Sequence, residues 1–202
     1  MDPITQGALG AAAAQTLLQL EPERPHRIWM AGAIGGMAAD LDILIRSSNN
    51  PMLSLLYHRH FTHSLIFITI GGFIIALCLL LFPYFRSNWK VTLWAALIGY
   101  ATHGILDATT SYGTVLFWPF SLKRINWDFI FIINPVFTAL LVIGTAIGII
   151  FHTRKAIAAG LISALIFLGL NALQHHKALE YFKTDLKKHY PDTQMIRAMP
   201  AG

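Results

Sequence analysis

The chain has 202 residues, of which 55% are hydrophobic and only 12% are charged. Soluble domains carry about 25% charged residues, so this composition favours a protein whose main solvent is lipid. The single cysteine, Cys78, excludes a disulfide framework. The net charge of +5 comes without a basic cluster interleaved with aromatic residues, so no nucleic-acid partner is expected.

Six apolar segments predict an all-α fold, a polytopic membrane helix bundle of about six hydrophobic helices, since each spanning helix needs roughly 20 apolar residues. The segments cover approximately residues 5–20, 28–45, 64–85, 91–109, 129–151 and 156–174. The bundle is expected to occupy residues 1–175, and residues 176–202 to form a charged tail that begins as an interfacial helix and has an unstructured end. Gly32, Gly35 and Gly36 predict close helix approach in the second segment.

The alternation of six segments predicts which connections share a membrane side. The N-terminus, residues 46–63, residues 110–128 and the tail are expected on one side. Connections 21–27, 86–90 and 152–155 are expected on the other. The polar residues that interrupt the apolar segments then all fall on the first side, which predicts a single polar site at one end of the bundle.

The first polar element is the pair Asp40 and Asp42, near the end of the second segment. Residues two apart cannot share a helix face, so either the helix ends there or one acid turns away. Acids are disfavoured at the negative end of a helix, so two of them call for a compensating cation. The alternative interpretation is a pair of surface acids at the helix C-terminus.

The second element is a group of three histidines, His58, His60 and His63, just before the third segment. Three imidazoles suit Zn²⁺, Mn²⁺ or Fe²⁺ better than Ca²⁺ or Mg²⁺, and the alternative is interfacial histidine without a ligand. Arg59 among them could clamp a phosphate or carboxylate or extend to lipid headgroups. Thr62 is expected to cap the third helix.

The third element is His103 with Asp107, four residues apart and therefore on one helix face. Such a pair can share a cation, or it can form a hydrogen bond that steadies the helix end. The candidate ligands from three segments outnumber the three or four protein ligands of one catalytic zinc. The sequence therefore leaves open a two-metal site or a single metal with supporting side chains.

At these positions the sequence resembles the YdjM family, membrane-bound proteins predicted to be metal-dependent hydrolases and linked in some bacteria to LexA regulation. The matching residues, spread over roughly 1–140, are Met1-Asp2-Pro3-Ile4-Thr5, Gly10, Asp40-Leu41-Asp42, His58-Arg59, Thr62-His63-Ser64, His103-Gly104-Ile105-Leu106-Asp107, Thr110, Gly113 and Pro119-Phe120. The resemblance implies metal ligands at Asp40, Asp42, His58, His63, His103 and Asp107. His60 lies outside the pattern, and Gln6, a poor zinc ligand, stands where many relatives have a histidine after the initial threonine.

These observations predict a multi-pass inner-membrane hydrolase that uses a divalent metal, with zinc as the first choice and manganese or iron as alternatives. Asp40 or Asp42 is expected to act as general base and Arg59 to steady an anionic substrate. The position of the site at the membrane interface favours a lipid or lipid-linked ester or phosphoester. The alternative is a non-catalytic metal-binding membrane protein, a transporter or a sensor, although a transporter usually places its ligands near the bilayer midplane. A membrane scaffold that binds partners through its tail is the third hypothesis.

Overall fold

The structure is a computed structural model that describes residues 1–18, 26–50, 52–189, 197, 199 and 200. Within these residues the secondary structure is helical, with only isolated bridges between extended residues. The elements are α1 (Pro3–Leu17), α2 (Arg27–Ala38), a 3₁₀ helix (Ala39–Leu44), α3 (Leu53–Tyr57), a second 3₁₀ helix (Phe61–His63), α4 (Leu65–Leu80), α5 (Pro83–Arg86), α6 (Trp89–Ala108), α7 (Pro135–Ile150) and α8 (Arg154–His189). The all-α prediction is confirmed. The predicted 21–27 connection and the predicted unstructured end of the tail lie mostly outside the described residues.

Four of these helices begin at a side chain that accepts a hydrogen bond from a backbone N–H three residues further on. These capping residues are Asp2, Ser64, Asn88 and Asn134. They satisfy N–H groups that have no partner inside the helix. The predicted cap at Thr62 is wrong, because the chain bends by 90° before α4 and Ser64 is the residue that precedes the helix.

Close packing of α1, α2 and α6 depends on glycines at the helix contacts. A Cβ atom at Gly99 would lie 2.0 Å from the carbonyl oxygen of Gly32, and one at Gly10 would lie 2.3 Å from the same oxygen. Gly35 and Gly36 make comparably close contacts with α6 and α1. Small residues allow helix backbones to approach in this way, and the predicted close approach through the second segment is confirmed.

The lengths of the helices bear on the predicted membrane spans. Among the described residues, the segment Arg154–Leu186 of α8 is long and apolar enough to cross a membrane, and a second span results if Leu53–His63 and α4 are counted as one bent segment. α4 and α7 have 16 residues each, about 24 Å of helix against a hydrocarbon core of about 30 Å. The prediction of six spans is therefore not confirmed. α8 also runs without a break through the predicted boundary between residues 175 and 176.

The connection between α6 and α7, residues 109–134, contains no helix and lies against the histidine-rich stretch. The N–H of Val115 donates to the carbonyl of Arg59 at 3.1 Å, and the N–H of Leu65 donates to the carbonyl of Leu116 at 3.0 Å. These bonds fix the turn before α4 against the connection that follows α6.

Candidate metal centre

Four side chains from three segments meet where α6 ends, and we call them the buried cluster. Asp40 lies in the 3₁₀ helix that follows α2, His63 in the 3₁₀ helix before α4, and His103 and Asp107 in the last turns of α6. One ligand atom of each lies within 4.8 Å of all the others. His63, His103 and Asp107 are at most 1% exposed, so the cluster is closed to solvent except beside Asp40.

The predicted second segment, residues 28–45, is not one helix, because α2 ends at Ala38. The 3₁₀ helix Ala39–Leu44 replaces its last turns. The sequence left two alternatives, a helix end at this point or one acid turned away, since Asp40 and Asp42 cannot share an α-helical face. The structure shows the helix end and brings both acids to the same end of the bundle.

The distances between imidazole nitrogens and carboxylate oxygens are those of ligands that share one ion. His63 Nε2 lies 3.5 Å from Asp40 Oδ1 and 3.3 Å from Asp107 Oδ2. His103 Nε2 lies 3.3 Å and 3.6 Å from the same two oxygens. Tetrahedral ligands about 2.0–2.1 Å from a zinc ion are separated from one another by about 3.3–3.4 Å.

The hydrogen bonds behind each imidazole determine which ring nitrogen carries hydrogen. His103 Nδ1 contacts the carbonyl oxygen of Gly36, and because a carbonyl only accepts, Nδ1 is the donor. The Thr62 hydroxyl donates to Asp42, so it accepts from His63 Nδ1, 2.9 Å away. In the neutral ring the other nitrogen, Nε2, then carries a free lone pair. Both Nε2 lone pairs are therefore available to the cluster.

With both rings neutral, the four converging atoms are all hydrogen-bond acceptors, an arrangement that a bound metal cation would stabilise. None of the four has a hydrogen-bond partner among the described residues: Asp40 Oδ1, His63 Nε2, His103 Nε2 and Asp107 Oδ2. Burying charged or polar groups without compensation costs several kcal/mol. Two nitrogen and two oxygen ligands suit Zn²⁺, and also accommodate Mn²⁺ or Fe²⁺. The donor set therefore fits a divalent metal ion.

Asp42 lies behind the cluster, on the far side of His63. Its Oδ2 accepts from the Thr62 hydroxyl at 2.8 Å and from the N–H of Arg59 at 2.9 Å, and lies 3.3 Å from His63 Nδ1. Burial alone raises the pKa of Asp42, but its hydrogen bonds with His58 and Thr62 and its contact with the His63 ring outweigh burial and hold the pKa well below its ordinary value. A carboxylate at the non-ligating side of an imidazole fixes the ring and increases its basicity as a ligand.

Asp40, Asp42 and His58 form a second set of ligand atoms within 4.8 Å of one another, the His58 group. His58 Nδ1 lies 2.8 Å from Asp42 Oδ1, and the His58 side chain is 28% exposed. The six predicted ligands therefore fall into two adjoining groups that share Asp40. His60 belongs to neither group.

Arg59 adopts a backbone conformation with φ of +58°, which is strained for a residue with a side chain. Hydrogen bonds to Asp42 and from Val115 hold its N–H and C=O in this conformation. The residue is 5% exposed, and its Nε lies 3.1 Å from Asp107 Oδ2. Its guanidinium carbon lies 4.9 Å from the centre of the Tyr112 ring. The strained turn thus directs a buried cation to the edge of the cluster.

Comparison with known protein families identifies the family to which this apolar helical chain belongs. The model of the YdjM inner membrane protein family matches residues 1–178. The chain belongs to the YdjM family. The matched range contains every residue of the buried cluster and of the His58 group, so the resemblance seen in the sequence is confirmed and the protein is placed in an inner-membrane family.

One relative of this YdjM-family chain is the Bacillus subtilis (strain 168) "Uncharacterized protein YfhP", which is 29% identical over 158 residues. The match covers 75% of this chain and 48% of YfhP, so the chain spans about half the length of this curated relative. No solved structure matches the chain.

The N-terminal segment of this YdjM-family protein contacts the cluster in a way that the sequence did not predict. Gln6 Nε2 donates to Asp107 Oδ1 at 2.9 Å, and the amine of Met1 contacts the same oxygen. These donors occupy Oδ1 and leave Oδ2 directed to the cluster. Gln6 and Asp107 are 101 positions apart in the chain. Hydrophobic periodicity cannot predict a contact over that separation.

Gly104 and Thr62 are two further residues of the site that sequence reasoning missed. A Cβ atom at Gly104 would lie 2.2 Å from the carbonyl oxygen of His63, so glycine allows the turn that carries His63 to lie against α6 beside His103. Thr62 connects Asp42 to His63 through its hydroxyl. Both residues lie in the motifs that the chain shares with the YdjM family, Thr62-His63-Ser64 and His103-Gly104-Ile105-Leu106-Asp107. Membership of these motifs was the sequence signal for their role in the site.

Proposed function

We propose that this protein is a membrane-bound, metal-dependent hydrolase and that the buried cluster is its metal centre. The observation that carries the proposal is the convergence of four buried, unpartnered acceptor atoms. The ligands are Asp40, His63, His103 and Asp107. Both imidazoles are held with Nε2 free, which is the form that binds a metal.

Zinc is our first choice for the ion, and manganese and iron are the alternatives. We favour one metal with supporting side chains over two metals, because Asp42 and His58 are already hydrogen-bonded to each other. A divalent ion held by the cluster supplies Lewis acidity, which lowers the pKa of water to about 7 and polarises a carbonyl or phosphoryl oxygen.

The other roles fall to side chains around the cluster. Asp40 is the one member with an exposed side chain, 22% against 0% for the others, so it borders the side from which water enters. Asp40 Oδ1 faces the two imidazoles, so we assign the other oxygen of this carboxylate, Oδ2, as the group that would accept a proton from that water. Arg59 steadies an anionic group of the substrate, since its guanidinium is buried beside Asp107. Asp42 holds His63 in its ligand orientation.

We infer that the substrate is a lipid or a lipid-linked ester or phosphoester. The family is an inner-membrane family, and the 3₁₀ helix that carries Asp40 and Asp42 also carries exposed aliphatic side chains. These are Leu41, Ile43 and Leu44, which are 57%, 47% and 69% exposed. A short helix that combines acids facing the cluster with exposed aliphatic side chains suits a lipid–water interface.

A direct assay tests the hydrolase proposal. The purified protein is loaded with Zn²⁺, Mn²⁺ or Fe²⁺, its metal content is measured by elemental analysis, and it is assayed on phospholipids and on generic esters and phosphoesters. Turnover that depends on bound metal and is lost in His103→Ala supports the proposal. Stoichiometric metal without turnover on any of these substrates contradicts it and favours a non-catalytic metal-binding protein.

We also infer that the chain is a multi-pass protein, with the shorter apolar helices accommodated by a locally thinner bilayer. Single cysteines at positions 47, 87 and 123, made by Ser47→Cys, Ser87→Cys and Lys123→Cys in a Cys78→Ser background, test this with a membrane-impermeant maleimide. Position 87 should be labelled from the side opposite to positions 47 and 123. Labelling of all three from one side contradicts the inference.

A further inference from the structure

Two arginine side chains lie over the ring of Tyr112, and we call Arg59, Tyr112 and Arg124 the arginine–tyrosine site. The guanidinium carbons of Arg59 and Arg124 each lie 4.9 Å from the centre of that ring. A guanidinium over an aromatic ring contacts it through its face, so the N–H groups along its edge remain available to other acceptors. The site therefore presents two cations whose donors are not used by the ring.

The connection after α6 positions Arg124. Thr114 and Ile125 exchange two backbone hydrogen bonds, of 3.0 Å and 2.8 Å. Gly113 makes this pairing possible, since it has φ of +68° and a Cβ atom there would lie 2.5 Å from the carbonyl oxygen of Ile125. Arg124 Nη2 also donates to the carbonyl of His58 at 2.9 Å, so the side chain is fixed against the histidine-rich stretch.

The arginine–tyrosine site adjoins the metal centre. Arg59 Nε lies 3.1 Å from Asp107 Oδ2, a ligand atom of the buried cluster. The centre of the Tyr112 ring lies 6.0 Å from that of His58, and His58 belongs to the group of ligand atoms that contains Asp40. Tyr112 is 38% exposed, so the site connects the metal centre to the protein surface.

Nearby acids do not balance the positive charge of this site. In the part of the chain that the structure describes, Arg124 forms no ion pair, and the carbonyl of His58 that it contacts is neutral. Arg124 Nη1 and Ser111 Oγ are buried without a hydrogen-bond partner among the same residues. With a divalent ion bound, the positive charges of the ion and the two arginines exceed the negative charges of the three carboxylates of the metal centre and the His58 group. The site therefore favours an anion.

The donors of the site select the kind of anion. Guanidinium groups bind phosphate through paired hydrogen bonds, and a phosphate monoester offers three terminal oxygens and about two negative charges at pH 7. A carboxylic ester is uncharged, and a phosphodiester carries less charge and fewer free oxygens than a monoester. Two arginines beside the cluster therefore match a phosphate monoester best.

We propose that Arg59 and Arg124 bind the phosphate group of a phosphate monoester and hold it beside the buried cluster. This inference rests on the proposed hydrolase function and names its substrate class. In the reaction, the oxygen of a water molecule bonds to phosphorus as the P–O bond to the alcohol breaks. One proton of the water passes through Asp40 to the alcohol oxygen, and inorganic phosphate is released.

A matched pair of variants in the connection tests the site. Arg124→Gln removes a guanidinium from the site, whereas Lys123→Gln removes the same charge from the exposed neighbouring residue. Arg124→Lys keeps the charge and loses the planar fork, which separates the effect of charge from that of geometry. Neither residue belongs to the buried cluster, so the metal content of all three variants should equal that of the wild type and shows that they fold.

The first measurement detects phosphate binding without turnover. Inorganic phosphate is titrated into the purified, metal-loaded protein, and binding is followed by calorimetry. Arg124→Gln should weaken binding on the order of tenfold or more, the effect expected when hydrogen bonds to a charged group are lost. Arg124→Lys should fall between Arg124→Gln and the wild type, and Lys123→Gln should match the wild type.

Three results of the titration overturn the proposal. Unchanged binding in Arg124→Gln means that the metal alone holds phosphate. Equal weakening by Lys123→Gln means that positive charge acts only at a distance. Failure of the wild type to bind phosphate means that the arginines form no phosphate site.

The second measurement uses catalysis, with phosphatidate as a lipid phosphate monoester, glycerol 3-phosphate as a soluble one and an uncharged carboxylic ester for comparison. Arg124→Gln should lower kcat/KM for release of inorganic phosphate on the order of tenfold and leave hydrolysis of the carboxylic ester unchanged. Turnover of phosphatidate alone identifies a lipid headgroup as the source of the phosphate, and turnover of both compounds includes phosphate esters in solution. Each of these results supports the site.

The failure of this proposal can be told from the failure of the hydrolase proposal. If the wild type hydrolyses none of the compounds, the hydrolase proposal fails while the phosphate titration still decides the arginine–tyrosine site. If the wild type hydrolyses carboxylic esters or phosphodiesters but no phosphate monoester, the substrate class proposed here is wrong while the hydrolase proposal stands.

Discussion

The buried cluster and the His58 group lie side by side and share Asp40, but their atoms are used differently. In the buried cluster the ligand atoms of His63 and His103 have no partner and no solvent. In the His58 group the imidazole is hydrogen-bonded to Asp42 and is partly exposed. Residue type and spacing made all of these side chains equal candidates for metal ligands. The two groups differ in whether their ring nitrogens already have a hydrogen-bond partner. Four variants measure how much each group contributes to metal binding.

The largest effect is expected for His103→Ala, which removes a ligand from the buried cluster. Metal affinity should fall on the order of a hundredfold or more. This exceeds the loss of about 10–100-fold that is typical when a residue supporting a ligand is removed. Elemental analysis after purification measures it, and His152→Ala, an exposed histidine in a connection, is the control. Since His103 is fully buried, circular dichroism should confirm that the variant folds. Full metal content in a folded His103→Ala protein would remove this residue from the site.

Gly104→Ala should also weaken metal binding strongly, although it leaves every ligand in place. Its Cβ would approach the His63 carbonyl to 2.2 Å, so the turn that carries His63 must move away from His103. Overpacking of this kind also costs about 1–3 kcal/mol of stability. Thermal unfolding and metal titration measure the two effects, with Ile105→Ala at the exposed neighbouring position as control. Unchanged metal affinity would show that the cluster tolerates this displacement.

Asp42→Asn should have an intermediate effect, about 10–100-fold in metal affinity, because Asp42 acts on His63 and not as a ligand of the cluster. The asparagine keeps the size of the side chain but loses the charge that faces the imidazole. A competition titration with a chelator measures the affinity, and Asp185→Asn on the exposed part of α8 is the control. A complete loss of metal, equal to that of His103→Ala, would instead identify Asp42 as a ligand.

The smallest effect is expected for His58→Ala. The cluster retains its four ligands, so metal affinity should change by less than about threefold, below the 10–100-fold typical of supporting residues. The metal-to-protein ratio should also remain the same as in the wild type. A halved ratio would mean that the His58 group holds a second ion, and the single-metal proposal would then be wrong.

The sequence predicted that the acids and histidines interrupting the apolar segments gather at one end of a helical chain, and the family resemblance reduced the expected ligands to Asp40, Asp42, His58, His63, His103 and Asp107. The gathering was predicted from local patterns: apolar segments, helix ends and the four-residue spacing of His103 and Asp107. The division of these residues into two groups depends on the turn at Arg59 and on the contact between Gly104 and His63, which join distant segments. Gln6 was overlooked for the same reason, since it acts on Asp107 as a hydrogen-bond donor and was judged only as a metal ligand.

The predicted helix boundaries differ from those of the structure at residues 39–45. Hydrophobicity continues through residues 28–45, but α2 ends at Ala38. The apolar composition of this stretch predicts burial or contact with lipid, and it does not reveal where α-helical geometry changes to 3₁₀ geometry.

The length of α8 has a consequence for what can reach the site. The ring of His175 lies 6.0 Å from that of Phe129, whose N–H bonds to the carbonyl of Thr109, two residues beyond Asp107. His175 is therefore level with the end of α6 that carries His103 and Asp107, and the remaining 14 residues of α8, up to His189, extend about 20 Å beyond it. A molecule bound to the tip of α8 would therefore lie about 20 Å beyond the candidate metal centre.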